Sequence, residues 1–121
     1  MLYVSTRGQA TSISFKEAVL TGLATDGGLY LPETYPKFSA EEIRNLNGLS
    51  YIDLSLKIMR KFIGPELSDT NLREIVQGSY SNFGTDDYCP TDQVDKNHYL
   101  LELYHGPTLA FKDFAMQFIV N

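Results

Sequence analysis

The chain has 121 residues, of which 43% are hydrophobic and 21% charged, and its formal net charge is −5. This length allows one domain with a moderate core, and the composition excludes a disordered chain. The ten basic residues do not cluster, so we expect no nucleic-acid partner. A lone cysteine, Cys89, excludes an internal disulfide. No apolar run is long enough to predict a membrane span, which favours a cytoplasmic protein.

The first two thirds of the chain read as a short strand, residues 2–5, followed mainly by four helices. Each helix opens on a serine that can accept a hydrogen bond from a backbone N–H group of the first turn. In the first two helices a glutamate three residues later completes a capping box. The serines are Ser14, Ser39, Ser50 and Ser68, and the glutamates are Glu17 and Glu42. The predicted helix stops are residues 26–28, Gly48 and the pair Gly64-Pro65.

Apolar residues at helical spacing predict the buried faces of the third and fourth helices. Aromatic residues on such stripes are typical of a core rather than of a ligand-stacking site. The face of the third helix comprises Tyr51, Leu54, Ile58 and Phe62. The face of the fourth helix comprises Leu72, Ile75, Val76, Ser79, Tyr80 and Phe83.

Residues 84–97 are polar and acidic, which predicts a loop. Their carboxylates could suggest a cation site, but the spacing lacks the glycine and closing glutamate of a calcium-binding EF-hand loop. We therefore predict no metal site here. The carboxylates belong to Asp86, Asp87, Asp92 and Asp95.

The last part of the chain predicts a strand, a turn and a helix. Residues 99–104 form an apolar run typical of a buried strand, and residues 106–108 form a Gly-Pro-Thr turn. Helical spacing then resumes, which places Lys112 at the mouth of a helix. The apolar positions of this helix are Phe111, Phe114, Ala115, Phe118 and Ile119.

Lys112 has a position that suits covalent chemistry. Burial and the positive end of a helix would both favour a neutral amine, which can form a Schiff base with an aldehyde. The alternative is a solvated surface lysine. Asp113 does not face Lys112 on a helix, so we expect it to serve the first helical turn, where negative charge is favourable.

Three other polar residues, Thr108, Arg7 and His105, admit two interpretations each. The Thr108 hydroxyl could contact substrate or cofactor, or it could cap the helix. Arg7 could contact an anion, or it could hold the amino-terminal loop through an ion pair or a backbone carbonyl. His105 could face the site or only structure its loop, whereas His98 is most simply a surface residue at a strand start.

Three segments in this order resemble the threonine synthases of bacteria and fungi: YVSTRG at residues 3–8, GLATDGGLYLPE at 22–33 and LELYHGPTLAFKDFAMQ at 101–117. In that family the lysine of the Phe-Lys-Asp triplet carries pyridoxal 5'-phosphate, and this role falls on Lys112. The resemblance implies conversion of O-phospho-L-homoserine and water into L-threonine and phosphate. Ala110 stands where other enzymes of the same cofactor fold often have serine, which agrees with this subgroup.

The resemblance also implies the organisation of the chain. Residues 1–97 would form an α-rich amino-terminal domain, and residues 98–121 would begin the α/β catalytic domain of a fold type II, tryptophan synthase β-like enzyme. One strand and one helix do not complete a βαβ unit, and no glycine-rich phosphate loop is present. We therefore expect an inactive fragment that binds the cofactor weakly and nonspecifically. The alternative is a non-catalytic interaction domain, and a free strand edge would favour self-association in either case.

Overall fold

The computed structural model describes residues 1–85 and 87–121 and shows a mixed α/β architecture. Within these residues no helix is long and apolar enough to cross a membrane. The strands are β1 Leu2–Ser5, β2 Ile13–Ser14, β3 Tyr30–Pro32, β4 Thr91–Asp95 and β5 His98–Leu101. The helices are α1 Phe15–Thr21, α2 Ala40–Arg44, α3 Tyr51–Ile63, α4 Asp69–Tyr80 and α5 Asp113–Val120, with a 3₁₀ turn at Gly64–Glu66.

The predicted first strand is confirmed, and it forms the centre of a small antiparallel sheet in the order β2-β1-β3. Tyr3 on β1 is buried and packs against the Phe15 ring, with the ring centroids 6.0 Å apart. Its hydroxyl donates to the Phe62 carbonyl at 3.1 Å. One side chain therefore ties the sheet to both α1 and α3.

All four predicted helix starts are confirmed. Ser14 and Ser39 each accept from the backbone N–H of the glutamate three residues on, and each glutamate reaches back to the serine N–H, so both capping boxes form. Ser50 and Ser68 cap α3 and α4 through their side chains. These starts are local chemistry, since one hydroxyl satisfies an otherwise unpaired N–H group.

Two of the predicted helix stops are wrong. Helix α1 ends at Thr21 because Gly22 adopts φ 73° and donates its N–H to the Ala18 carbonyl. Residues 26–28 therefore lie in a later turn. Helix α2 ends at Arg44, four residues before Gly48. The stop at Gly64 is confirmed, and this glycine has φ 68°, which favours a residue without Cβ.

The core lies between α3 and α4, and the predicted face of α4 is confirmed at its centre. The four core residues are Ile63, Leu72, Val76 and Tyr80. The predicted face of α3 is wrong beyond Tyr51, since Ile58 is 37% exposed and the packing residues are Ile52, Leu56 and Met59. The apolar arc of α3 is broad and lies opposite its charged residues. The predicted residues lie on one edge of that arc, the packing residues lie on the other, and the buried residue between them is the polar Ser55.

An exposed hairpin, β4 and β5, replaces the predicted loop and the predicted buried strand. Residues 91–95 pair antiparallel with 98–101, and every residue of both strands is exposed. Both predictions are wrong because burial and strand formation depend on partners: β4 is polar but finds β5, and β5 is apolar but has no covering element in the described part of the chain. Asp86 lies outside the described residues, and the described residues include no His, Cys, Asp and Glu group placed to hold a metal.

Helix α5 packs on α4 and joins the core. Phe114 and Phe118 contact the core cluster, as predicted, and the Tyr80 hydroxyl donates to the Phe114 carbonyl at 3.1 Å. The other apolar positions at helical spacing, Phe111, Ala115 and Ile119, are exposed, and Phe111 lies before the start of α5. An aromatic cluster surrounds this junction and comprises Tyr51, Tyr80, Phe83, Tyr88 and Phe114.

Candidate functional site

The candidate site is the segment from Gly106 to Asp113, which connects the hairpin to α5. Lys112 is the N-cap residue immediately before α5, with φ −63° and ψ −21° and no side-chain capping hydrogen bond, so its predicted place at the helix mouth is confirmed. Its carbonyl accepts from the N–H groups of Ala115 and Met116 at 3.1 and 2.9 Å. The Lys112 side chain is exposed, so the described residues do not supply the burial that would favour a neutral amine.

The Asp113 side chain is the most buried polar group of this segment, with the residue 3% exposed. It lies in the first turn of α5 as predicted, but its carboxylate turns back toward the preceding loop. Its Oδ2 accepts from the Thr108 backbone N–H and its Oδ1 from the Thr108 hydroxyl, both at 2.8 Å. Asp113 therefore closes the loop that leads to Lys112.

Thr108 does not cap the helix, so that interpretation is wrong. Its hydroxyl donates to Asp113 instead of accepting from an N–H group of α5. The other interpretation, a contact with substrate or cofactor, stays a prediction. The Thr108–Asp113 pair was not predicted, because helical spacing relates Asp113 only to its neighbours in α5 and not to the preceding turn.

Two backbone features show how tightly the segment is folded. A Cβ atom on Gly106 would lie 2.4 Å from the Asp113 Cβ, so only glycine fits there without a shift. Leu109 has φ 59°, and its N–H donates to the Gly106 carbonyl at 3.0 Å. A non-glycine residue in this region costs about 1–3 kcal/mol, which the surrounding contacts must offset.

His105 structures the loop before this segment. Its Nε2 lies 2.6 Å from Glu102 Oε2, its ring packs on Tyr104, and its carbonyl accepts from the Gly84 N–H at 2.9 Å. The His105 hydrogen bond, followed by that of Tyr104, lowers the pKa of Glu102. The loop-structuring interpretation of His105 is confirmed, and a role facing a ligand stays a prediction. His98 is exposed at the start of β5, as predicted.

Arg7 holds the amino-terminal loop, since its Nη1 donates to the Asp26 carbonyl at 3.3 Å. The predicted backbone contact is therefore confirmed. The centre of this loop is Asp26, for which the sequence pattern predicted only a place in a helix stop. Its carboxylate accepts from the Ser5 hydroxyl and from the N–H groups of Gln9, Ala10 and Gly28 at 2.7–3.0 Å. The Ser5 bond, followed by these N–H groups, lowers the pKa of Asp26 to about 2.

Two surface grooves lie away from Lys112. The larger, about 550 Å³, is lined by α2, α3 and α4. Its arginines and Lys61 are occupied by carboxylates: Arg60 pairs with Asp69, Lys61 with Glu42 and Arg73 with Asp53 at 2.6–2.8 Å. The smaller groove, about 200 Å³, is largely apolar and is lined by residues of α1, α4 and α5. Neither groove includes the Gly106–Asp113 segment.

A family model described as the threonine synthase N terminus matches residues 2–80. This chain belongs to the threonine synthase family. The threonine synthase of Pseudomonas aeruginosa is 46% identical over 98% of the chain and 25% of its own length. The solved structure of pyridoxal-phosphate-bound threonine synthase from Brucella melitensis is 50% identical with a TM-score of 0.95, covering 98% of the chain and 26% of that structure. The yeast threonine synthase structure is 42% identical with a TM-score of 0.89, covering 98% and 25%.

These comparisons confirm the resemblance drawn from the three sequence segments. The chain corresponds to the amino-terminal region of a threonine synthase and spans about a quarter of the length of the relatives it matches. The cofactor named for the Brucella protein is a property of that protein. The comparisons assign no role to an individual residue of this chain, so the site residues rest on the geometry above and on the sequence motif.

Proposed function

We propose that this chain supplies the cofactor-attachment segment of a threonine synthase that converts O-phospho-L-homoserine and water into L-threonine and phosphate. Lys112 is the residue that holds pyridoxal 5'-phosphate covalently. The observation that carries the proposal is the exposed primary amine at the start of α5, on a segment whose sequence matches the family motif and whose backbone is fixed by Asp113.

The described residues fit covalent attachment of the cofactor. An aldehyde requires a lysine amine that is accessible and not already engaged. Within residues 1–85 and 87–121, the Lys112 amine forms neither a hydrogen bond nor an ion pair, and its side chain is exposed. Lys61, by contrast, is held by Glu42 at 2.7 Å and by the Lys37 carbonyl at 2.9 Å.

The residues of this chain have two tasks in the proposed reaction. When bound, the cofactor supplies an electron sink that stabilises negative charge on the substrate. Lys112 holds the cofactor before substrate binds, and its freed amine then moves protons at the α and β carbons of the substrate. Thr108, held beside Lys112 in the turn, contacts substrate or cofactor through its oxygen.

The wider organisation follows from the same proposal. Residues 1–97 form the amino-terminal domain, and residues 98–121 begin the α/β catalytic domain of a fold type II enzyme. The parent protein is cytoplasmic, in keeping with the single cysteine of this chain. The unpaired edges of the β4–β5 hairpin, which is exposed throughout, provide a route to a homo-oligomer.

The decisive experiment traps the cofactor in the full-length enzyme that contains this chain. After borohydride reduction, peptide mapping should find stoichiometric cofactor on Lys112 and none on Lys96, which lies in the exposed hairpin turn. Lys112→Ala should abolish threonine formation, whereas Lys96→Ala should retain it. Substantial turnover by Lys112→Ala would remove Lys112 from the mechanism. In the isolated chain we expect only weak labelling spread over several lysines.

A non-catalytic interaction domain is the second candidate, and one observation favours it. Tyr99, Leu100 and Leu101 form an exposed apolar strand that is suited to a partner. The trapping experiment separates the candidates, since an interaction domain would leave Lys112 unlabelled. Sedimentation of the isolated chain, with Leu100→Lys as the matched variant, would then show whether the strand mediates self-association.

A further inference from the structure

We propose that Asp113 is a positioning residue for Lys112, because its buried carboxylate takes both hydrogen-bond donors of Thr108 and fixes the turn from which Lys112 projects. The same contact leaves the Thr108 oxygen able only to accept a hydrogen bond from a ligand. This inference deepens the proposed function and rests on it for the role of Lys112.

The Asp113 carboxylate is held by a matched set of donors. A buried carboxylate is costly unless each oxygen is hydrogen-bonded. Here each oxygen accepts one bond of 2.8 Å, and both donors belong to the single residue Thr108. No ion pair to Asp113 forms among the residues that the structure describes. The positive end of α5 adds to the stabilisation, since Asp113 lies in the first helical turn.

The surrounding backbone supports a fixed rather than an incidental contact. Gly106 is buried against Asp113, with no room for a Cβ atom, and Leu109 adopts the left-handed conformation at the tip of the turn. The Asp113 N–H also donates to the Ala110 carbonyl at 3.0 Å. Asp113 is therefore bonded to the turn through both its side chain and its backbone, one residue after Lys112.

The same geometry decides whether the Thr108 hydroxyl can donate a hydrogen bond to a ligand or accept one from it. A threonine hydroxyl has one proton to donate, and an ionised carboxylate can only accept. Because Asp113 takes that proton and the Thr108 N–H as well, the remaining capacity of the Thr108 side chain is the lone pairs of Oγ1. These lone pairs suit an ammonium or another N–H donor. They do not suit a phosphate or carboxylate oxygen, which needs a donor.

Amide hydrogen exchange in the full chain tests the contact without the cofactor. Asp113→Ala should raise the exchange rate of the Thr108 and Leu109 amides about tenfold, the equivalent of one lost hydrogen bond, while the Val76 amide in the core stays unchanged. Asp92→Ala, at an exposed carboxylate of the hairpin, should change neither. If Asp113→Ala unfolds the core as well, Asp113→Asn serves instead, because its neutral amide oxygen accepts the Thr108 N–H more weakly than an ionised carboxylate does. Unchanged exchange at Thr108 in the folded variant would overturn the inference.

The role in positioning has a separate readout in the full-length enzyme. The borohydride-trapped cofactor on Lys112 should fall about tenfold in Asp113→Ala and in Thr108→Val, and Thr108→Ser should restore it because serine keeps both donors. If exchange at Thr108 rises in Asp113→Ala while trapping on Lys112 stays complete, the positioning role is overturned. If unmodified Lys112 does not trap the cofactor, the proposed function fails, and faster Thr108 exchange in Asp113→Ala still supports the fixed turn.

Discussion

The helical core and the β4–β5 hairpin, which leads into the segment that carries Lys112, differ in how far their apolar residues are buried. In the core, the predicted stripe of α4 is covered by α3 and α5, and Val76 is wholly buried. In the hairpin, Leu100 remains 50% exposed although its neighbours are equally apolar. The stability of the Gly106–Asp113 segment therefore depends on the contact between Tyr80 and Phe114 and on the hydrogen bonds of Asp113. It depends less on the preceding strand β5, which is exposed.

This difference shows which contacts hold the candidate site in place. Phe114 follows Asp113 directly, so the residue that closes the turn and the residue that anchors α5 are adjacent. A change in the core should reach the site through this junction, whereas a change in the hairpin should not. We make four predictions, starting with the largest expected effect, and the first tests this contrast directly.

Tyr80→Ala should cost about 3–5 kcal/mol in the free energy of unfolding, because it removes a large buried ring and the hydrogen bond to the Phe114 carbonyl. Tyr99→Ala, at an exposed residue of β5, should change stability by no more than about 0.5 kcal/mol. Urea unfolding of the two variants measures the contrast. Equal losses would show that the hairpin is as well packed as the core.

Gly106→Ala should cost about 1–3 kcal/mol, because the added Cβ atom overlaps the Asp113 side chain. Gly84→Ala is the matched control, since its Cβ atom would meet only the His105 carbonyl oxygen at an ordinary 3.7 Å. Thermal unfolding gives the stability change, and exchange of the Thr108 amide locates it. A larger effect at Gly84 would contradict the described packing of the turn.

Ser68→Ala should cost about 1 kcal/mol, because the N–H group of Asn71 loses its capping acceptor at the start of α4. Thr70→Ala, on an exposed residue of the same helix, should be neutral or slightly stabilising. Urea midpoints compare the two. Similar values for both variants would mean that tertiary packing, and not the cap, sets the start of α4.

The smallest predicted effect concerns pH and the amino-terminal loop. The pKa of Asp26 is lowered from 3.8 to about 2, so its carboxylate stabilises the folded chain above pH 4 and loses this contribution as the pH falls toward 2. The stability difference between the unmodified chain and Asp26→Asn should therefore shrink over this interval. Ser5→Ala, which removes the main hydrogen bond to Asp26, should weaken the pH dependence. A difference that stays constant down to pH 2 would rule out this linkage.

Local chemistry made much of the helical region predictable. Each capping serine accepts a hydrogen bond from the backbone N–H group three residues on, which is a contact within one helical turn. The starts of α1, α2, α3 and α4 therefore follow from neighbouring residues. The strand β4 could not be found in this way, because its polar residues are held by pairing with β5. Its side chains carry no alternating pattern, since both of its faces are exposed.

The position of the candidate site could be predicted from the sequence, but the hydrogen bonds that hold it in place could not. The Gly-Pro-Thr turn and the family motif identified Lys112, and the structure places it at the start of α5. The pairing of Thr108 with Asp113 joins residues five apart across a turn with a left-handed Leu109, a conformation that neither helical nor strand spacing describes. The hydrogen bonds of Asp26 could not be predicted either, because the groups that donate to its carboxylate are distributed over two loops that are far apart in the sequence.

The Lys112 backbone is hydrogen-bonded, while its side-chain amine has no hydrogen-bond or ion-pair partner among the residues that the structure describes. Its carbonyl is committed to two N–H groups of α5, and the next residue is clamped to the turn. Any movement of the amine from one bonding partner to another must therefore come from rotation about the bonds of the flexible aliphatic side chain, while the main chain stays in place. Under the role proposed for Lys112, this arrangement would let a covalent bond form and break without movement of α5, and the aromatic cluster around Tyr80 and Phe114 would stay undisturbed.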